Sequence, residues 1–293
     1  MKHLRIMAIA LAAGLATQPA LGAGGGGHIE DVDFSFEGPF GSFDRFQLQR
    51  GFQVYHNVCS ACHGMKGVAF RELGDPNGPA FPEEQVKAIA AQYEVPDLDG
   101  EPGDTRPGLP SDKFPANEAA GAPDLSLMAK ARAGFHGPSG TGINQLFKGI
   151  GGAEYIYSLM IGYPEELPAC AEEAEMDGSY NRAFGAGGIP DSCKDENGKP
   201  MIEGSWINMS QPLWGDDVEY GVFGDAEASG YTPPEATIEQ EAKDVAAFLM
   251  WAAEPKMVER KEAGLRNVLW LVILAVLLYY TNKKLWAPIK REE

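Results

Sequence analysis

One short motif in the chain has residue types and spacing that indicate chemistry: Cys59-Ser60-Ala61-Cys62-His63. This C-x-x-C-H pattern is typical of covalent c-type haem attachment. Two thiols about one helical turn apart can each add to one vinyl group on the same edge of a porphyrin. The imidazole of His63 then lies under the ring, where it can ligate the iron. We therefore predict one haem c, bound covalently through Cys59 and Cys62.

Two other uses of a C-x-x-C pair compete with this interpretation. The pair can be half of a zinc site that Cys170 and Cys193 complete, or a thioredoxin-like redox pair. Zinc half-sites usually come as two close pairs, whereas Cys170 and Cys193 lie far from each other in the sequence. A redox pair needs a βαβ context, which the sequence pattern lacks. The histidine that follows Cys62 directly favours haem.

The N-terminal residues 1–22 have the layout of a secretory signal peptide. Lys2 and Arg5 precede an apolar run at 6–16, and Ala20-Leu21-Gly22 forms a small-x-small cleavage site. The apolar run is too short to span a bilayer, and the alternative is a buried N-terminal helix. Export would place the remaining cysteines, Cys170 and Cys193, in an oxidising compartment, where they can form a disulfide or remain free thiols.

A second apolar segment near the C-terminus predicts a membrane anchor. Residues 268–280 are an unbroken apolar run, and 265–286 would reach about 33 Å as a helix if Arg266, Lys283 and Lys284 snorkel towards the headgroups. Tyr279, Tyr280 and Trp286 suit an interfacial belt. The alternative is a buried core helix. A cleaved signal peptide would place the residues before 265 outside the cytoplasm.

Hydrophobic periodicity predicts a mainly α domain with long loops. The predicted helices are 44–58 with Asp44 as N-cap, 82–93, 126–133, 143–148, 154–161, 235–251, and a last helix opened by Pro255. Residues 97–110 are rich in acidic residues, Pro and Gly, and predict an exposed loop.

The segment between the signal peptide and the last helix is strongly acidic. Residues 24–254 hold 14 Lys or Arg and 38 Asp or Glu, a net charge of −24. The acidic clusters are 94–104, 165–166, 172–177 and 216–219. This sign excludes nucleic acid as a partner. A docking field for a basic partner and simple solubility both remain open, because net charge supports either.

Several further stretches resemble one protein family. They are FSFEGPFG at 34–41, QRGFQVY at 49–55, the haem motif, APDLSLMAKARAGF at 122–135, EYIYS at 154–158, DVAAFLMWAAEPK at 244–256 and TNKKLWAP at 281–288. The chain resembles the cytochrome c1 family, the haem subunit of the bacterial quinol–cytochrome c oxidoreductase (the bc1 complex). The resemblance implies a class I cytochrome c fold with large loop insertions plus one C-terminal transmembrane helix.

By the same resemblance the chain is an electron carrier that works as a subunit of a redox enzyme complex. The implied partners are cytochrome b, the Rieske iron–sulfur protein as donor and a soluble basic cytochrome c as acceptor, in a dimeric complex. We expect a haem domain at 23–254 in the periplasm, a C-terminal helix with the anchor at 255–286 in the bacterial inner membrane, and a cytoplasmic tail at 287–293. The alternatives are an anchored monohaem cytochrome that serves a terminal oxidase, and a catalytic or gas-binding haem with an open iron position.

An electron carrier needs both axial positions of the iron filled, and a thioether opposite the histidine favours Fe(II) and raises the potential, so we look for the sixth ligand among the methionines. Met209 lies in an irregular segment, 204–212, and matches the family's ligand position. The family follows that methionine with a run of prolines, whereas this chain has Ser210 and Gln211 before Pro212. Met160, on a predicted helix, is the second candidate.

The resemblance also implies roles for residues around the haem. Arg132 matches the arginine that meets a haem propionate, and Pro123 and Tyr155 match residues of the haem-pocket wall. A solvated helix arginine and an ordinary core aromatic are the alternatives. Bacterial relatives similar to this chain carry a disulfide that corresponds to Cys170 and Cys193.

Overall fold

Helices dominate the computed structural model, which describes residues 27–97, 99–101, 103–117, 121–132, 147–223 and 230–288. In these residues the α-helices are α1 (Arg45–Asn57), α2 (Glu83–Ala90), α3 (Met128–Ala131), α4 (Gly152–Ile161), α5 (Ile238–Ala253) and α6 (Met257–Trp286). The strands are β1 (Glu94–Pro96), β2 (Thr105–Pro107), β3 (Ser179–Asn181) and β4 (Ser205–Ile207). They form two antiparallel pairs, β1 with β2 and β3 with β4.

The core is organised where α1 crosses α5. Gly51 permits this close approach, because a Cβ at that position would lie 2.0 Å from the carbonyl oxygen of Asp244. Phe52 packs against Phe248 across the crossing, with ring centroids 5.7 Å apart. The helix α4 also packs on α5. Because α1 leads directly into the C-x-x-C-H motif, this crossing fixes where the motif begins.

A buried ion pair joins the same two helices. The guanidinium of Arg50 donates to both carboxylate oxygens of Asp244, from Nε at 2.7 Å and from Nη2 at 2.9 Å. Gln240 donates a further hydrogen bond to Asp244, and Tyr231 is a partner of Arg50. Such two-pronged pairing satisfies both buried charges and fixes the register of α1 on α5.

Residues 162–207, between α4 and the end of β4, form a segment that a disulfide closes, here called the stapled segment. A disulfide joins Cys170 to Cys193, with their Cα atoms 5.2 Å apart. A small second core surrounds it and contains Tyr180 and Trp206, whose rings pack at 5.0 Å. The segment delivers the chain through β4 to Met209.

The last helix, α6, is one continuous element of 30 residues. Its first residue, Met257, is buried against the domain that precedes it, residues 27–254, here called the head domain. The apolar residues of α6 from Leu265 onwards are exposed. By length and composition it can cross a membrane, with a mean hydropathy of 1.8 over its most apolar window. It is the only such helix in the described part of the chain, and it fits a single-pass anchor.

The prediction of a mainly α domain is confirmed, with differences at the element ends. Asp44 caps α1 as predicted, since its carboxylate accepts from Phe46 N and Gln47 N. The second predicted helix ends at Ala90 rather than residue 93, and Pro82 is its N-cap. Thr237 caps α5, which therefore begins at 238 rather than 235.

Other predictions were partly wrong or lie outside the described residues. The predicted loop at 97–110 contains β2, which pairs with β1 because the chain reverses between them. Of the predicted helix 126–133, the described residues 126–132 are helical only at 128–131, and residue 133 lies outside the described part. The helix α4 begins two residues earlier than expected, and the last helix begins at Met257 rather than Pro255. The signal peptide and most of the predicted helix 143–148 lie outside the described residues.

Candidate haem site

The C-x-x-C-H motif forms a tight turn at the end of α1. Cys59–Ala61 is a 3-10 helix, and the backbone N–H groups of Cys62 and His63 both donate to the carbonyl of Cys59, at 3.1 and 2.9 Å. Cys59 is half-buried, Cys62 is exposed, and both are free thiols. Burial raises the pKa of Cys59 to about 12, and Cys62 adds to the rise. The turn thus presents two thiols on one short arc, which fits the two thioether bonds of a haem c.

Two distant side chains hold this turn in place. Asn117 donates from Nδ2 to the carbonyl of Ala61 at 2.8 Å, and Tyr55 donates from its hydroxyl to the carbonyl of His63 at 3.2 Å. Gly64 follows the motif, where a Cβ would lie 2.6 Å from the backbone nitrogen of Asn117. The motif is therefore packed directly against the 115–117 segment.

The imidazole of His63 is oriented by a backbone carbonyl. Its Nδ1 lies 2.8 Å from the carbonyl oxygen of Pro123. Because a carbonyl oxygen can only accept, Nδ1 must carry the hydrogen, and the lone pair is left on Nε2. A hydrogen bond of this kind fixes the ring and increases the basicity of the ligating nitrogen. The structure thus brings Pro123 and His63 together in an arrangement that suits iron ligation.

Residues 123–126 are clamped onto the chain that follows the motif. Leu125 N donates to the carbonyl of Gly64 at 2.9 Å, and Lys66 N donates to the carboxylate of Asp124 at 2.9 Å. Although burial alone would raise the pKa of Asp124, hydrogen bonds from Ser126 and Lys66 lower it overall. The carbonyl of Pro123 is held firmly as a result.

Arg132 and Tyr155 also meet. Arg132 follows α3, and its guanidinium acts electrostatically on the hydroxyl of Tyr155 on α4. Burial raises the pKa of the Tyr155 hydroxyl, and the guanidinium opposes that rise. Tyr155 is buried in the main core, whereas Arg132 is half-exposed. A cation in this position at the core edge can hold a carboxylate such as a haem propionate.

The two candidate sixth ligands lie in the same core cluster but in different settings. Met209 is half-buried in a bend just after β4, and its carbonyl accepts a 3.0 Å hydrogen bond from the hydroxyl of Tyr163. Met160 is buried on α4. Where the family has prolines, Gln211 donates from Nε2 to the carbonyl of Leu213 at 2.9 Å. This hydrogen bond lies within residues 208–213, here called the Met209 loop. One hydrogen bond therefore holds each end of the loop, from Tyr163 to Met209 and from Gln211 to Leu213.

The zinc alternative loses its support. Cys170 and Cys193 are joined in the disulfide, so they are not available to complete a zinc site with Cys59 and Cys62. Among the described residues, no group of three or more His, Cys, Asp or Glu side chains is arranged to hold a metal ion.

Sequence reasoning missed Tyr55, Asn117 and Tyr163. Each contacts the site through a hydrogen bond to a backbone carbonyl. Because every residue has such a carbonyl, the sequence does not indicate which residue accepts the bond. Outside the motif, the ring nitrogens of His56 contact the hydroxyl of Tyr93 and the side-chain oxygen of Gln92.

Comparisons with known proteins agree with the motif and the geometry. The profile of the Cytochrome C1 family matches residues 34–289. The chain is 57% identical to cytochrome c1 of Cereibacter sphaeroides over 97% of this chain and 94% of the relative. It is 51% identical to cytochrome c1 of Rhodobacter capsulatus over 91% of each chain. A longer relative from Bradyrhizobium diazoefficiens, named cytochrome b/c1, is 37% identical over 87% of this chain and 35% of its own length.

A resemblance of this extent decides between the remaining functions. A terminal-oxidase cytochrome is not favoured, because the family profile and the similar relatives cover nearly the whole chain. The C-x-x-C-H turn and the oriented His63 agree with these matches. The chain therefore belongs to the cytochrome c1 family, whose members carry one covalently bound haem c and are the haem-bearing electron-transfer subunits of the quinol–cytochrome c oxidoreductase.

Proposed function

We propose that this chain holds its haem through Cys59 and Cys62 and ligates the iron with Nε2 of His63 and the thioether of Met209. The haem supplies the one-electron Fe(III)/Fe(II) couple. The observation that carries the proposal is the hydrogen bond from His63 Nδ1 to the carbonyl of Pro123, since it leaves Nε2 free to ligate. A thioether on the opposite side favours Fe(II), which suits a carrier that must accept an electron readily.

The surrounding residues hold and shield the group. The buried Tyr155 and Met160 keep water from the core side of the site. The guanidinium of Arg132, already beside Tyr155, pairs with a propionate. Because His63 and Met209 would both hold the iron, the haem would supply its one-electron couple with no open position for a substrate. A catalytic or gas-binding role is correspondingly disfavoured.

Membership of the family supports the electron path that we propose. The chain receives electrons from the Rieske iron–sulfur protein and passes them to a soluble, basic cytochrome c, as part of a dimeric complex with cytochrome b. The name of the Bradyrhizobium relative, which joins b and c1, supports the pairing with cytochrome b. The net charge of −24 over residues 24–254 supports a basic acceptor, because opposite charge speeds encounter.

The layout of the chain places these parts around a membrane. Residues 1–22 are a cleaved signal peptide, and residues 23–254 form the periplasmic haem domain. Residues 255–286 form the C-terminal helix with its anchor in the bacterial inner membrane, and 287–293 are a cytoplasmic tail. The anchor is supported by the exposed apolar face of α6.

Haem attachment is tested directly by denaturing electrophoresis with haem staining. The wild-type band should retain haem, the variants Cys59→Ala and Cys62→Ala should each retain less, and the double variant should lose it. Haem lost from the wild-type band would overturn covalent attachment. A Ser60→Ala variant is the matched control, because it changes the turn without removing a thiol.

A further inference from the structure

The head domain exposes two phenylalanines that the haem site does not use. Phe40 is 80% exposed and Phe147 is 59% exposed. The loops that carry them are adjacent, because a Cβ at Gly38 would lie 3.4 Å from the carbonyl oxygen of Phe147, and the two exposed rings are here called the patch. Clustered exposed apolar groups of this kind mark contact surfaces rather than ordinary surface.

This patch lies beside the point where the anchor begins. The ammonium of Lys261 on α6 donates to the carbonyls of Phe36 and Gly41, which flank the loop that carries Phe40. Lys261 precedes Leu265, the first apolar residue of the span, by four residues, or about 6 Å along the helix axis. The loop 36–41 is therefore fixed at the height at which α6 enters the bilayer.

A groove connects the patch to the anchor. It has a volume of about 550 Å³ and runs between loop 36–39, the N-terminus of α4 and the first turns of α6, with Leu265 and Val268 in its lining. Since these two residues belong to the membrane span, the groove opens at the bilayer surface.

The groove is less acidic than the domain as a whole, because basic side chains pair with the carboxylates around it. The groove is lined by four basic residues, Lys130, Lys148, Arg260 and Lys261, and three acidic ones, Glu37, Glu154 and Glu254. Residues 24–254 as a whole hold 14 basic and 38 acidic residues. Aromatic side chains beside basic groups are typical of surfaces that lie in the headgroup region of a membrane.

We propose that Phe40 and Phe147 insert into the headgroup region of the bilayer beside α6, so that the head domain has a second membrane contact besides its anchor. Two points of contact fix the tilt of the head relative to the membrane, whereas a single helix leaves it free to swivel. The proposal depends on α6 as a membrane span and goes beyond the assigned electron-transfer role.

Spin labels on the full-length, haem-loaded chain test this contact. The chain is placed in nanodiscs of phosphatidylcholine and phosphatidylglycerol, with the haem reduced so that the low-spin iron is diamagnetic. Nitroxides are attached at Phe40→Cys and, separately, at Phe147→Cys. Both positions are exposed, so the substitutions should not disturb folding. Collision of each label with a water-soluble nickel chelate and with oxygen is then measured by power saturation.

Two further labels serve as controls. Trp214→Cys replaces another exposed aromatic, 70% exposed, which packs at the N-terminal end of α5. The 16 residues of α5 place it about 24 Å from the membrane end of that helix. Leu274→Cys, within the apolar run of α6, reports on the anchor itself.

We expect labels at Phe40 and Phe147 to collide several-fold less with the nickel chelate than the label at Trp214, while they still collide with oxygen. Nickel access equal to that at Trp214 would overturn the proposal, and a Leu274 label inside the hydrocarbon would show that the anchor is nevertheless correct. In the assembled complex with cytochrome b, protection of Phe40 from both reagents would assign the patch to a protein partner and overturn the lipid contact.

Discussion

The hydroxyl of Tyr163 donates a 3.0 Å hydrogen bond to the backbone carbonyl of Met209. Tyr163 follows α4 closely, whereas Met209 comes after the disulfide-stapled segment, so the bond joins the two ends of that segment at the proposed ligand. Burial raises the pKa of the Tyr163 hydroxyl, so it remains a donor at any physiological pH. The Met209 loop is thus held from outside by Tyr163 and from within by Gln211.

Removal of the Tyr163 hydroxyl should loosen the ligand without unfolding the domain. A single hydrogen bond contributes about 1 kcal/mol, so Tyr163→Phe should let added imidazole displace the thioether about fivefold more readily. Tyr180→Phe is the matched control, because its hydroxyl bonds the carbonyl of Glu203 instead. Imidazole titration of the ferric visible spectrum measures the effect. Equal titration of both variants would contradict a role for Tyr163 in holding the Met209 loop.

The disulfide should stabilise the inserted segment. In the chain-entropy model, closure of a loop of this size contributes roughly 3 kcal/mol to the free energy of unfolding. We expect the double variant Cys170→Ala/Cys193→Ala to unfold at a lower guanidinium concentration than the wild type. Mass spectrometry without reduction should find the two wild-type peptides linked. Alkylation of both thiols in unreduced protein would refute the bond.

Docking of a basic cytochrome c should depend on particular carboxylates. Asp216 and Glu219 are exposed near the Met209 loop, whereas Asp217 is occupied by hydrogen bonds from the backbone nitrogens of Trp214 and Gly215. Asp216→Asn/Glu219→Gln should lower the bimolecular rate and weaken its salt dependence, because screening at ~0.1 M confines such attraction to about 10 Å.

The matched control for docking removes the same number of charges elsewhere. Glu172→Gln/Glu173→Gln changes two exposed residues on the stapled segment and should alter the rate much less. Stopped-flow kinetics with a basic cytochrome c over a range of salt concentrations compares the two double variants. A flat salt profile for the wild type would leave the acidic surface as a solubility feature.

Stability should fall as the pH rises through the range in which Glu154 ionises. Glu154 is buried on α4, and burial raises its pKa to about 7, from a reference of 4.5. Glu37 and Asp31 add to the rise, whereas Lys148 and a backbone hydrogen bond oppose it. Between these two values the folded state binds more protons than the unfolded state. The free energy of unfolding therefore decreases from about pH 4.5 to about pH 7, by at most about 3 kcal/mol from this group.

The variant Glu154→Gln should reduce this slope, because the amide is neutral at every pH, whereas Glu241, whose pKa burial also raises to about 7, keeps its own contribution. Guanidinium unfolding of the haem-loaded chain in detergent, at about pH 5 and about pH 8, measures it. Glu84→Gln is the control, since that carboxylate is exposed on α2. An unchanged slope in Glu154→Gln would show that other groups set the pH dependence.

The haem-attachment chemistry of this site could be predicted from the sequence, because the residues that carry it are close together in the chain. Cys59, Cys62 and His63 lie within one turn, and Asp44 lies at the start of the helix that delivers them. The anchor was equally readable, since a long apolar run has few other uses.

The supports of the site were not readable, because they depend on contacts across the fold. Asn117 reaches the motif from a loop 56 residues away, and Tyr163 reaches Met209 across 46 residues. The short pairing of β1 with β2 was hidden for a different reason. Only three residues on each strand pair, which is too few for an alternating pattern to stand out.

The sixth ligand is the central claim, and the midpoint potential measured together with carbon monoxide binding tests it most directly. In Met209→Leu, loss of the thioether should lower the potential sharply and let carbon monoxide bind the ferrous iron. In Met160→Leu, a volume-conserving change in the core, the potential should stay near that of the wild type, and carbon monoxide should not bind. The reverse pattern, a fall in potential and carbon monoxide binding in Met160→Leu alone, would contradict the account and assign the ligand to Met160.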